Sequence, residues 1–362
     1  MSTTVMQPSA TELPATTRST PDLLPSTKAV INYLSRDVEN PYFYITKPDN
    51  DEPVTNQVSY SPTVDIADIR GLTEEQRRQA GFTVDEAGFQ LVEGFGKRET
   101  AQEWADRKWE DESWIESVYY NDIDQLFKEK LGVTSTFIFD HTVRKRRTKE
   151  TENLPDDPDN RTPVARAHSD QSRWAGENRI LKHLGKETLE RVKRGELHAQ
   201  LINIWRPLRG EAWDTPLAVA DSRTVRSGGD GNPPDWRVCE LRYPTWTGET
   251  LAVSGAANVG GGAGEVWQNS WPESPVLMLF LLPCRFRVAY CHFQIHYNPN
   301  HRWYYYSGLP ADKAILLKCY DSVTETRTPH TAFEDPLTPA DAEPRWSIEA
   351  RVLAITDPSL KE

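Results

Sequence analysis

The chain is expected to fold as a mainly β protein with flanking helices, and three observations carry that expectation. Proline (26) outnumbers glycine (20), which favours turns and short strands over a helical bundle. Short runs rich in β-branched and aromatic residues recur as far as residue 355, whereas two segments carry clear helical character. Finally, 12 Trp, 13 Tyr and 11 Phe among 362 residues supply a real core and exclude a wholly disordered chain.

The elements follow in order. Residues 1–27, rich in Ser, Thr and Pro, read as a disordered tail, and 28–362 as one domain. Strands are expected at 41–45 (PYFYI) and 87–92 (AGFQLV). Between 111 and 131 the apolar residues Trp114, Ile115, Val118, Tyr119, Ile123 and Leu126 recur at helical spacing. A strand at 134–143 is followed by a charged loop at 144–161. A second helix is expected at 174–194, then strands at 198–208 and 216–221, and late strands at 303–306, 314–321 and 347–355.

Composition narrows the function. Lys plus Arg is 42 against 54 for Asp plus Glu, a net charge of −12, which argues against a nucleic-acid partner. Four cysteines (Cys239, Cys284, Cys291, Cys319) lack the spacing of a zinc ribbon or a dense disulfide framework. The start has no charged region followed by an apolar run, and the longest apolar stretch, 275–284, is half of the ~20 residues a membrane helix needs. A cytoplasmic protein with no membrane partner is expected.

Residues 253–294 break the pattern. A Gly-rich coil precedes an apolar run that has neither alternation nor turn chemistry. Val253-Ser254 can be encoded by GTGAGT and Phe293-Gln294 by TTTCAG, the look of the two ends of an intron. The segment reads as a retained intron, against the alternative of a genuine insertion loop. Its removal joins 248–252 to 295–297 in one strand-like run.

The chemistry centres on His168-Ser169-Asp170. In extended chain, residues two apart point to the same side, so an imidazole and a carboxylate there can share one metal ion. A distant second histidine completes a two-His-one-carboxylate triad, which leaves adjacent positions open on Fe(II). Of the seven other histidines, His330 fits best, after the strand at 314–321 and before that at 347–355. Fifteen residues further on comes Arg345-Trp346-Ser347, where a guanidinium and a hydroxyl suit the far carboxylate of a dicarboxylic acid. Arg351 is the second choice for the anchoring cation, or it forms a structural ion pair with Glu349. The order HxD, His, R-x-S is that of Fe(II)/2-oxoglutarate dioxygenases.

Several stretches extend this match: 166–172 (RAHSDQS), 203–208 (NIWRPL), 216–221 (PLAVAD), 298–305 (NPNHRWYY), 318–322 (KCYDS), 329–333 (PHTAF) and 345–349 (RWSIE). Together they resemble the fungal hydroxylase/desaturase family of Fe(II)/2-oxoglutarate-dependent dioxygenases, over roughly residues 35–356 apart from 253–294. The resemblance implies a double-stranded β-helix, or jelly-roll, core. It also implies Fe(II), 2-oxoglutarate and O₂, and hydroxylation or desaturation of a small secondary metabolite. By motif, His168, Asp170 and His330 would be iron ligands, and Arg345 and Ser347 would hold the far carboxylate.

Asn203, Arg206, Trp303 and Tyr304 are candidate pocket residues. Arg206 either lines the pocket or caps the core, and alternation puts it on the strand face opposite Asn203 and Trp205. The aromatic run at 303–306 offers pocket walls or core packing. Tyr320, Asp321 and Ser322 are expected near the metal, and Lys318 in solvent. The alternatives are a non-catalytic metal-binding jelly roll and a metal hydrolase or isomerase on the same scaffold.

Overall fold

The computed structural model describes residues 24–44, 48, 51–94, 109–148, 161–228, 232–244 and 286–360. The strands are β1 (Ser26–Val30), β2 (Tyr33–Leu34), β3 (Tyr42–Tyr44), β4 (Ser59–Tyr60), β5 (Thr63–Asp68), β6 (Phe89–Glu93), β7 (Ser135–Lys145), β8 (His168–Ser169) and β9 (His198–Pro207). They continue as β10 (Glu211–Ala212), β11 (Leu217–Ala220), β12 (Trp236–Pro244), β13 (Phe286–Ile295), β14 (Trp303–Tyr305), β15 (Leu309–Pro310), β16 (Lys313–Asp321), β17 (His330–Ala332) and β18 (Trp346–Thr356). One sheet has five strands in the order β6-β16-β9-β18-β7, and the other nine, β1-β5-β14-β11-β17-β8-β13-β12-β3. These two sheets pack face to face as the jelly roll that the sequence implies. The expected disordered tail ends too late: β1 begins at Ser26, and Thr27 is buried with its hydroxyl 2.9 Å from Asp335. Residues 1–23 and most of 253–294 lie outside the described residues, although β13 occupies the last part of the latter segment.

Alternation along the five-stranded sheet explains the layering. Ile202, Ile204, Leu316, Ile348, Ala350 and Val352 point outward to a helical layer that supplies Tyr119, Ile123 and Phe127. Their neighbours point inward, where Trp205, Ile315 and Leu317 meet Leu217, Val219 and Tyr304 from the other sheet. The helices are α1 (Glu74–Gln79), α2 (Glu112–Trp114), α3 (Tyr120–Leu131) and α4 (Arg173–Lys193). Asp111 caps α2 by accepting from the Trp114 amide at 3.1 Å, and a π turn, Ile115–Tyr119, separates α2 from α3. That extra residue per turn buries both Ile115 and Tyr119. Ser172 caps α4, which is interrupted at Gly185. α4 lies so close to β16 that a Cβ at Gly176 would strike the Tyr320 ring.

Lys318, expected in solvent, is 1% exposed. A register irregularity between Lys318 and Tyr320 in β16 accompanies its burial, and its ammonium pairs with Asp321 at 2.6 Å and Asp85 at 2.8 Å. Asp321 also meets His198 at 2.9 Å and Gln200 at 3.1 Å. Ser322 exchanges hydrogen bonds with the Ala199 backbone. Asp321 and Ser322 therefore fasten the start of β9 rather than orienting a metal ligand.

Burial alone would raise the Asp321 carboxyl, but the His198 hydrogen bond and the Lys318 charge hold it well below the ordinary 3.8. A depressed carboxyl contributes stability that is present above 3.8 and lost as pH falls towards its folded value. Lys318→Ala should lower the unfolding free energy by about 3–5 kcal/mol, because it strands a buried carboxylate. Urea unfolding at pH 7 measures this, and a loss below about 1 kcal/mol would show that the pair is hydrated.

Candidate active site

β8 is only two residues long and lies between β13 and β17. Its register sets His168 directly opposite His330, with ring centroids 4.5 Å apart. Asp170 follows two residues after His168 and turns to the same side. Its Oδ1 is 3.2 Å from His168 Nε2 and 3.8 Å from His330 Nε2. One ligand atom from each of the three residues lies within 4.8 Å of the other two.

Backbone carbonyls fix both rings. His168 Nδ1 is 2.7 Å from the Arg166 oxygen, and His330 Nδ1 is 3.1 Å from the Thr328 oxygen. A carbonyl only accepts, so each Nδ1 carries a proton and each Nε2 is the ring atom that could ligate a metal. Burial and the neighbouring His168 push His330 down to about 4, so it is neutral at pH 7. For Asp170, burial raises the carboxyl, but the His168 hydrogen bond and the charges of His330 and Arg351 hold it well below the ordinary range. His168 is raised: burial lowers it, and Asp170 more than compensates. Two imidazoles and a carboxylate with their ligand atoms this close suit Fe(II).

The triad lines a cavity of about 30 Å³ together with Arg345 and Arg144. Trp205, Leu217, Val164 and Glu349 also line it. Arg345 donates to the Thr215 carbonyl and stacks 5.4 Å from the Trp205 ring, and its Nε has no partner. Burial, with the charge of Arg144, lowers its guanidinium to about 9. The Ser347 hydroxyl is likewise buried without a partner. Two guanidiniums in the lining, one of them the buried Arg345 with an unsatisfied Nε, fit a carboxylate in the cavity.

Arg144 was assigned to the charged loop at 144–161, but β7 runs on to Lys145 and pairs Arg144 opposite Ser347. Continuing the strand's alternation past Val143 would have found it.

The other expected site residues divide. Asn203 reaches Asp170 Oδ2 at 2.6 Å. Arg351 is not available as a co-substrate anchor: its guanidinium binds Asp140 at 2.6 Å and Glu349 at 3.1 Å. Arg206 points away from the cavity, as its position in β9 requires, and packs 5.8 Å from the rings of Trp109 and Tyr119 while donating to the Ala311 carbonyl. Trp303 belongs to the outer face of the nine-stranded sheet and donates to the Tyr33 hydroxyl at 2.6 Å. Tyr304 faces inward but packs on Phe82 and Phe89. These last three are core residues, because on the described chain other side chains fill the space around them.

The two-sheet fold carries a His–Asp–His cluster that could hold one metal ion. The sequence profile of the oxidoreductase/YMDC permease-like domain family matches residues 31–259 and 281–355, and the chain belongs to that family. It is 26% identical over 314 residues to the hydroxylase/desaturase poxK of Penicillium oxalicum, covering 84% of this chain and 82% of that protein. It is 28% identical over 291 residues to the hydroxylase/desaturase efuI of Hormonema carpetanum, 78% and 81% of the two chains. The Fe(II)/2-oxoglutarate-dependent dioxygenase nvfI of Aspergillus novofumigatus matches at 26% over 246 residues, 67% of this chain and 68% of that one. In structure the chain is similar to the iron and alpha-ketoglutarate-dependent endoperoxidase NvfI, with a TM-score of 0.66 at 21% identity over 92% of this chain and 98% of that one. Among the described residues no helix is long and apolar enough to cross a membrane.

Asp170→Asn and His330→Ala should each abolish stoichiometric Co(II) or Mn(II) binding, whereas Arg206→Gln should keep it and lose stability instead. Metal titration beside thermal unfolding separates the two classes. Full metal binding by the histidine variant would remove His330 from the centre.

Proposed function

We propose that this protein is an Fe(II)/2-oxoglutarate-dependent oxygenase that hydroxylates or desaturates an unactivated C–H bond of a small secondary metabolite. The observation that carries the reading is the His168–Asp170–His330 cluster lining one cavity with Arg345. The names of the relatives poxK, efuI and nvfI point the same way. Bound iron, with 2-oxoglutarate and O₂, supplies the oxidising power, and the co-substrate leaves as succinate and CO₂.

The chain's own residues bind, orient and shield. His168, Asp170 and His330 hold the metal on one side and leave the cavity side open. Arg345, with Ser347 and the neighbouring Arg144, takes the far carboxylate of 2-oxoglutarate. Trp205, Leu217 and Val164 keep water from the reacting centre. A metal-binding protein without catalysis has no use for the Arg345 and Ser347 anchor, and succinate formation separates a hydrolase or isomerase on the same scaffold. We infer a reducing, cytoplasmic setting, which agrees with the free, buried thiol of Cys319.

Anaerobic addition of Fe(II) and 2-oxoglutarate should produce the weak visible charge-transfer band of the chelate, and O₂ should then release succinate. Arg345→Gln should weaken 2-oxoglutarate by about 2–5 kcal/mol while leaving metal binding intact. Absence of both band and succinate from a folded, iron-loaded protein would end the oxygenase reading.

We also propose that residues 253–294 are a retained intron. The family match is interrupted between 259 and 281, inside that segment, although it resumes before 294. Without the segment, Leu251-Ala252 would precede Ile295 in the place that Phe293-Gln294 now takes beside Ser169 and His168. A transcript lacking these 42 codons is expected. Detection of their peptide in the native protein would sink the idea.

A further inference from the structure

The two oxygens of Asp170 are held differently. Oδ1 is the atom that faces His168 Nε2 and His330 Nε2, at 3.2 and 3.8 Å. Oδ2 turns the other way, towards β9 and β18. There Asn203 and Arg351 stand directly opposite each other in register, on the inward faces of neighbouring strands. Asn203 Nδ2 donates to Oδ2 at 2.6 Å, and Arg351 Nε lies 3.7 Å from the same oxygen. Both side chains also bind Glu349 Oε1, Asn203 at 3.2 Å and Arg351 at 3.1 Å. Asp140 at 2.6 Å and Thr142 at 3.1 Å hold the far end of the guanidinium.

We propose that Asn203 and Arg351 are positioning residues that capture Asp170 Oδ2 and so make Asp170 a ligand through Oδ1 alone. The proposal rests on the metal-site reading above and goes beyond it. An amide NH₂ has two protons, and here one serves Asp170 and the other Glu349. This bridge keeps two buried carboxylates apart, and the single positive charge of Arg351 faces both. A carboxylate with one oxygen held in this way cannot swing round to chelate with both. The coordination position that a second oxygen would take therefore stays open. Three adjacent open positions are what a bidentate co-substrate and O₂ together require. Arg351, read from the sequence as a second choice of co-substrate anchor, acts on the iron ligand instead.

The test uses the full chain, with Mn(II) and Co(II) as probes. Asn203→Leu keeps the volume and removes both donors. Loss of such an outer partner costs 10–100-fold in metal affinity, so the Mn(II) Kd should rise by about that factor. The visible Co(II) spectrum should change as Asp170 reorients, while circular dichroism stays that of the unaltered protein. A merely structural role for Asn203 would move the unfolding midpoint and leave the Co(II) spectrum unchanged.

If Asn203→Leu does not fold, a crystal structure of the unaltered protein with Mn(II) decides. Oδ1 on the metal and Oδ2 on the Asn203 amide supports the proposal; both oxygens on the metal overturns it. A folded Asn203→Leu protein with unchanged Kd and Co(II) spectrum also overturns it, without touching the metal-site reading. Failure of the unaltered protein to bind either metal removes that reading, and this proposal with it.

Discussion

A charged interior between two sheets is the constraint on which the rest of this structure depends. Asp170, Glu349, Arg144, Arg345 and Arg351 all project into the space where a jelly roll ordinarily packs apolar side chains. Taking such groups out of water costs several kcal/mol each unless partners replace the lost hydration. The register of β9 with β18 and of β18 with β7 provides those partners. Asn203 stands opposite Arg351, Trp205 opposite Glu349, and Arg144 opposite Ser347. A slip of one residue in β18 would turn Ile348 and Ala350 inward and expel the ionic groups into the helical layer. The outward apolar face that packs on α3 therefore fixes the inward polar face by exclusion.

The interior is not uniformly satisfied, and the pattern of satisfaction follows the chemistry. Near the triad every charge is answered: Asp170 by two imidazoles, an amide and a guanidinium, and Glu349 by Asn203 and Arg351. Elsewhere in the lining, burial and the charge of Arg144 lower the basicity of Arg345, and Arg345 Nε and Ser347 Oγ lack partners. The first group is built to hold a cation on carboxylate and imidazole. The second is short of negative charge, which a dicarboxylate supplies.

How much of this was legible in the sequence follows from how local each relationship is. The pairing of His168 with Asp170 needs only the two-residue repeat of extended chain, and His330 and Arg345 needed only their order along it. The main strands and both long helices were readable from period, since β9, β16 and β18 form where apolar and β-branched residues cluster. The opposite facing of Asn203 and Arg206 was readable too, but which face looks at the metal was not, because that depends on the partner sheet. Lys318 was misread for the same reason: Asp85 lies 233 residues away in sequence. Arg144 was lost because a charge after Val143 looked like the end of a strand. The rule that charged residues sit outside fails where a site must hold them inside.

The approach to β8 shows how so short a strand can place His168, and Asp170 just after it, in the candidate metal site. A strand of two residues contributes little pairing energy of its own, so its position must come from neighbours. Residues 161–167, which lead into it, are tied on three sides. The Lys145 amide donates to the Arg161 carbonyl at 3.0 Å, and Arg144 to the Thr162 carbonyl at 2.9 Å. The Val164 carbonyl accepts from Ala332, two residues beyond His330, at 2.8 Å, and the Ala167 amide donates to Asn32 at 2.9 Å. The first and third of these bonds hold the segment that bears His168 to the strands that bear Arg144 and His330. The metal ligands and the cation pair thus share one backbone scaffold. Backbone hydrogen bonds between the strands and this lead-in segment fix where their main chains lie, and such rigidity is what a centre needs if it must hold an ion and an anion together.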